Sequence, residues 1–199
     1  MTDGRGRSSI ASEPYRWPFA GDLTGERLAV VVTGASPWFT GSCPGWGVAA
    51  VSIAAVAAAV RLVGGLVVWT VHHGPGRHLP PVGDPAGGLA VTPDPRDVVV
   101  AAGGLDAFFA GPLDQVLRAH RRDHLVLAGA GFETVVHSTL RSANDRGYEC
   151  LTVLDAAAAV DPGLAEACAS TIRMSGGIFG AVARSEQLIR SLTPMERLP

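Results

Sequence analysis

The sequence contains no lysine; all 16 of its basic side chains are arginine. Any mechanism that requires a lysine ammonium is therefore excluded before any other consideration. Charge of either sign is sparse at 17%, and the formal net charge is -2 with a pI of about 6.3. No basic field exists to attract nucleic acid or anionic lipid, and neither is an expected partner. Cysteines number three, Cys43, Cys150 and Cys168. An odd count without metal-ligand spacing argues against a disulfide framework or a metal site, and for reduced thiols in a cytoplasmic protein. Arg5 and Arg7 are followed by Ser, Glu, Pro and Tyr in place of an apolar core, so no secretory signal is read. One apolar stretch, residues 48–71, raises the question of a membrane span. The Gly64-Gly65 pair splits it into an Ala-rich helical half and a β-branched half, and neither reaches the roughly 20 residues a span needs. A buried helix followed by a buried strand is the expectation.

What is present fits one domain. A chain of 199 residues with 47% hydrophobic residues, 25 Gly and 14 Pro can bury a full core. Apolar, β-branched runs recur at 28–32, 66–71, 98–101, 124–127, 149–154 and 178–182, and helical segments are expected at 47–63, 112–119, 136–146, 162–175 and 185–192. Strands alternating with helices predict an α/β fold, a six-stranded and mainly parallel Rossmann-like sheet in three α/β/α layers. Runs apolar throughout place helices on both faces. Pro112 and Pro162 suit a first helical turn, and Ser185 suits a cap. Residues 1–22 read as an extended arm that could wrap a neighbouring subunit, 23–199 as the α/β domain, and 73–95, rich in glycine and proline, as a long loop. Ligands of such sheets sit beyond the carboxyl ends of the strands. The pocket should therefore be lined by Thr33 to Phe39, His72 and His73, Ala102 to Phe108, and Gly129 to Val135.

The segment from Gly129 to Tyr148, GAGFETVVHSTLRSANDRGY, resembles the nucleophile segment of the isochorismatase-like cysteine hydrolases, and from Val136 onward it is most similar to their biuret-hydrolase branch. Tyr15-Arg-Trp-Pro-Phe19, Asp106-Ala-Phe-Phe109 and Met174-Ser-Gly-Gly-Ile-Phe-Gly180 follow in family order, so the resemblance covers nearly the whole chain. It implies an isochorismatase-like fold, a homo-oligomer (dimer or tetramer), no cofactor, and a triad of aspartate base, lysine and cysteine nucleophile served by backbone amides that hold the oxyanion. The positions to which the resemblance carries that triad hold Thr33, Ala102 and Val135. Threonine is a poor base, alanine carries no charge and valine has no nucleophilic atom. Amide hydrolysis by the family route is not expected. Relatives that lack only the cysteine hydrolyse a vinyl ether through the aspartate and lysine, and that route is closed as well. The resemblance also implies a non-proline cis peptide, mapped to Ala130-Gly131.

Two functions from different classes follow. One is a pseudoenzyme that binds a small polar or aromatic molecule or supports an oligomer, with Trp38, Phe39, Phe108, Ala130 and Gly131 as ligand contacts. The other is a repurposed enzyme working without a covalent intermediate, with His72, His73 or Glu133 moving protons. Each candidate also has a plainer reading: loop histidines bonded to backbone, a structural glutamate, and core packing for Phe108 and Phe109. Metal binding by His72, His73 and His78 lacks a carboxylate at a familiar spacing, and no metal site is expected. Cys43, in Gly41-Ser-Cys-Pro-Gly-Trp46, would need a base to act as a displaced nucleophile, and none is evident. His137, Thr139, Arg141, Asp145 and Arg146 read as scaffold.

Overall fold

A computed structural model describes residues 9–74 and 88–193; His78 and most of the expected 73–95 loop lie outside them. Six strands form a single sheet, β1 (Leu28–Thr33), β2 (Leu66–His72), β3 (Val98–Ala102), β4 (His124–Ala130), β5 (Glu149–Ala158) and β6 (Ala181–Ala183). Their spatial order is β3-β2-β1-β4-β5-β6, and every neighbouring pair is parallel. The fold is thus α/β, and the sheet is wholly parallel where the sequence predicted mainly parallel.

Side chains alternate across the sheet and feed two cores. Val30, Val32 and Trp69 pack under α2 (Trp46–Leu62) and α6 (Ser185–Leu192), while Val31, Leu125 and Leu127 pack under α3 (Leu113–Ala119), α4 (His137–Asp145) and α5 (Ala165–Gly177). Burial on both faces explains why β1 and β4 read as continuous apolar runs. The chain leaves β1 in one direction and reaches β4 on its other side, so the strand order reverses between them and opens a crevice at their carboxyl ends. Register brings Thr33 beside Gly129 and His72 beside Ala102 at that edge.

Several elements differ from the sequence expectation. A short helix, α1 (Pro37–Thr40), occupies the expected pocket loop after β1. The helix expected at 136–146 is preceded by a π-helical turn, Phe132–Val136. The strand expected at 178–182 begins only at Ala181, because Gly177 and Gly180 hold left-handed φ values of +86° and +115° and Ile178 remains exposed. Ser185 opens α6 instead of capping it; the Asp155 carboxylate accepts both its backbone N–H (2.7 Å) and its hydroxyl (2.6 Å). The described part of the expected arm turns back on its own chain, through bridges Ile10–Trp17 and Glu13–Val182.

Candidate functional site

At the carboxyl edge of the sheet the chain is drawn tight. A side chain on Gly129 would start 1.8 Å from the Thr33 carbonyl oxygen, so only glycine lets β1 and β4 end side by side. Gly131, at φ +75°, then swings the backbone into the π-helical turn. Ala130-Gly131 is not among the cis peptide bonds of the described residues, which are Glu13-Pro14 and Trp17-Pro18; the cis bond expected from the resemblance is absent.

Thr33, Ala102 and Val135 are 0%, 2% and 0% exposed. The Thr33 hydroxyl is turned to the Ala128 carbonyl at 3.4 Å. Val135 belongs to an apolar cluster with Phe39, Cys43, Ala49, Ala130 and Ala158, against which Trp46 and Leu105 pack. Within it the Gly131 N–H donates to Cys43 Sγ at 3.3 Å. A backbone amide at the strand-to-helix turn is thus already engaged by a thiol of the same chain. Burial pushes the Cys43 thiol pKa up, Glu133 adds to that, and the Gly131 N–H opposes it; with the pKa raised, the protonated thiol is favoured.

The expected acid–base residues are dispersed. His72 is fully buried, with Nδ1 2.8 Å from the Gly104 carbonyl and Nε2 2.7 Å from Thr70 Oγ1. A carbonyl only accepts, so Nδ1 carries the proton and Nε2 accepts from the threonine hydroxyl. Burial draws the His72 pKa below its ordinary value against the opposing pull of the Gly104 carbonyl and Asp106, which fixes the ring as a neutral strut. Its ring meets Phe39 edge-on at 5.9 Å. Glu133 accepts the backbone N–H groups of Val160 (3.1 Å) and Asp161 (2.7 Å), tying the π-helical turn to the end of β5. His73 donates its backbone N–H to Ala102 at 2.8 Å, and its Nδ1 is buried without a hydrogen-bond partner among the described residues.

Of the expected ligand contacts, Phe39, Ala130 and Gly131 converge on the Val135 cluster. Trp38 lies largely outside, 48% exposed. Phe108 belongs to the core beneath α3 and α4, stacked on Tyr148 at 5.7 Å with the Arg146 guanidinium 4.8 Å above its ring. The Asp106-Ala-Phe-Phe109 motif holds it there: Asp106 Oδ1 accepts the Phe108 N–H (2.8 Å), and Thr139 Oγ1 accepts the Ala107 N–H (3.0 Å). Among the described residues no group of His, Cys, Asp and Glu is arranged to hold a metal, and no helix is long and apolar enough to cross a membrane.

A cavity of about 300 Å³ lies elsewhere, along α2 on the sheet face that packs Trp69, between the helix and residues 91–94. The sequence reading missed it, because its walls come from three segments and its polar anchor, Asp97, is a carboxylate before β3 that carries no motif.

The isochorismatase domain model matches residues 39–187. A ureidoacrylate amidohydrolase of Methylorubrum extorquens is 34% identical over 103 residues, covering 51% of this chain and 42% of that protein, and one of Variovorax paradoxus is 34% identical over 102 residues, covering 51% and 40%. The match therefore spans about two fifths of the length of these relatives. Among solved structures, a cysteine hydrolase from Pseudomonas syringae pv. phaseolicola superposes with a TM-score of 0.78 at 22% identity over 92% of this chain and 96% of that one. N-carbamoylsarcosine amidase from Thermoplasma acidophilum gives 0.69 at 26% identity over 80% and 97%.

Proposed function

The chain belongs to the isochorismatase family, and we propose that it is a non-hydrolysing member, a pseudoenzyme that acts by binding a small molecule and by assembling with copies of itself. The observation that carries this reading is the packing of Thr33, Ala102 and Val135. The three side chains, two at the ends of β1 and β3 and one in the π-helical turn, offer no carboxylate, no ammonium and no thiol, all three are buried, and the thiol of Cys43 occupies the neighbouring Gly131 N–H. Covalent amide hydrolysis needs a nucleophile, a base within reach and free oxyanion donors at one point. Here the one nearby thiol has a raised pKa and no base beside it among its hydrogen-bond partners. The free cysteines suit a cytoplasmic setting.

The names of the relatives and the biuret-hydrolase resemblance suggest the substrates to try. Purified protein is incubated with ureidoacrylate, N-carbamoylsarcosine and biuret, with ammonia release and intact mass followed together. The expected result is release indistinguishable from a protein-free blank and no acyl adduct on any cysteine. Turnover accompanied by an acyl-thioester adduct would overturn the proposal.

The alternative, a repurposed acid–base enzyme, keeps one favourable observation, the buried Nδ1 of His73, which has no partner among the described residues. It has less support from His72 and Glu133, whose polar atoms are committed to backbone and to Thr70. Turnover without any adduct, lost in His73→Gln, would favour it.

A further inference from the structure

We propose that the cleft along α2 is a binding site for a neutral, planar heteroaromatic molecule of one or two rings that carries an amide or ring carbonyl. Thr33, Ala102 and Val135 do not line it, although Trp46 both walls the cleft and packs against the Val135 cluster, and its occupancy does not depend on whether the strand edge is catalytic.

A buried charge underlies the cleft. The Asp97 side chain is 1% exposed and accepts four hydrogen bonds: from Arg61 Nε (2.8 Å) and Nη2 (2.6 Å), from Trp69 Nε1 (2.8 Å) and from the Asp94 backbone N–H (3.1 Å). This network fixes the Trp69 indole and the Arg61 guanidinium as rigid walls of the cleft, because each is held through its own polar atoms. Holding Asp97 occupies only Nε and Nη2 of Arg61. Nη1 has no partner among the described residues, and Arg61 lines the cavity. Donor capacity held in place and left unused beside a cavity walled by two indoles is what orients a ligand carbonyl.

The remaining walls set shape and charge. Trp46 and Trp69 supply aromatic surface, and α2 presents Ala54 and Ala57 where larger side chains would fill the space. Pro93, in Thr92-Pro-Asp-Pro95, stiffens the facing segment. The volume of about 300 Å³ stands at the lower limit of small-molecule sites, enough for a ring or a fused pair and too small for a dinucleotide. Each charge at the cleft is already paired, Arg61 with Asp97, and Asp94 with Arg96 through bonds of 2.8 and 2.9 Å. An anion drawn to Arg61 meets Asp94, and a cation drawn to Asp94 meets Arg61. The field therefore selects an uncharged ring, and the aromatic walls favour a flat one.

Benzamide is the neutral probe and benzoate its charged counterpart. Both are titrated into 15N-labelled full-length protein, and the four tryptophan indole N–H signals are followed. Benzamide is expected to shift the Trp46 and Trp69 signals saturably and to leave buried Trp17 unmoved, with benzoate at least tenfold weaker. Ala54→Phe fills the cleft and should weaken benzamide at least tenfold, whereas Ala167→Phe, at an exposed position of α5, should not. If Ala54→Phe does not fold, Ala50→Leu tests the same wall. Unmoved Trp46 and Trp69 signals at the solubility limit, binding insensitive to the cleft-filling change, or benzoate binding as tightly as benzamide would each overturn the proposal.

Discussion

Cys43 shows how one side chain closes a site. The residue is 3% exposed, and its sulfur packs in the cluster that holds Val135 and accepts the Gly131 N–H. Sulfur is a weak acceptor, but an amide left bare in that apolar cluster would carry the full cost of desolvation. Cys43→Ala removes both the acceptor and buried volume, and should destabilise the protein by about 1–3 kcal/mol in urea unfolding. Cys43→Ser retains an oxygen acceptor and should recover part of that loss. Equal stability of the wild type and Cys43→Ala would show that Gly131 finds another partner. Glu133 and His72 teach the same lesson: each was a candidate proton carrier by its place in the sequence, and each spends its polar atoms on holding loops together.

At the scale of elements, α2 is the anomaly. From Trp46 to Val60 it carries no charge, and Val48, Val51 and Leu62 are 73%, 72% and 88% exposed. Positions 48, 51, 55, 58 and 62 are spaced 3-4-3-4, the seam of a helix that packs on another helix, and all are apolar. This stripe supports the proposed self-association. Val51→Asp should shift the protein toward monomer in size-exclusion chromatography with light scattering while leaving its circular dichroism unchanged. A wild type that is already monomeric would remove the assembly part of the proposed function. The strands were legible in the sequence because burial on both faces leaves no polar interruption. β5 was read only to Leu154, since Asp155 breaks its apolar run; that carboxylate turns aside to hold the start of α6. The placement of Thr33, Gly129, His72 and Ala102 at one edge of the sheet was legible from topology alone. The contacts of the site were not, because Cys43 meets Gly131 across 88 residues and Glu133 meets Val160 across 27, and no local pattern encodes such pairs.

For the molecule as a whole, the turned-back N-terminal segment ties stability to pH. Trp17, fully buried, meets the His124 ring edge-on at 5.5 Å, and neither ring nitrogen of His124 has a hydrogen-bond partner among the described residues. Burial lowers the His124 pKa, Arg27 lowers it further, and Asp123 pulls the other way; His72 and His137 are lowered by burial as well. In the unfolded chain these histidines protonate near 6.5, and in the folded chain only at lower pH. Above that value both states are neutral and stability is whole. As pH falls below it, the unfolded state alone takes up protons, and each such histidine erodes stability by up to about 1.4 kcal/mol per pH unit until its folded pKa is reached. The midpoint of thermal unfolding should accordingly drop between pH 7.5 and pH 5.5. His124→Phe keeps an aromatic edge against Trp17 and removes both unpaired nitrogens, so it should flatten that slope and leave stability at pH 7.5 equal or higher. A slope identical to wild type would mean that protonation of His124 is accommodated without opening the segment that Trp17 anchors.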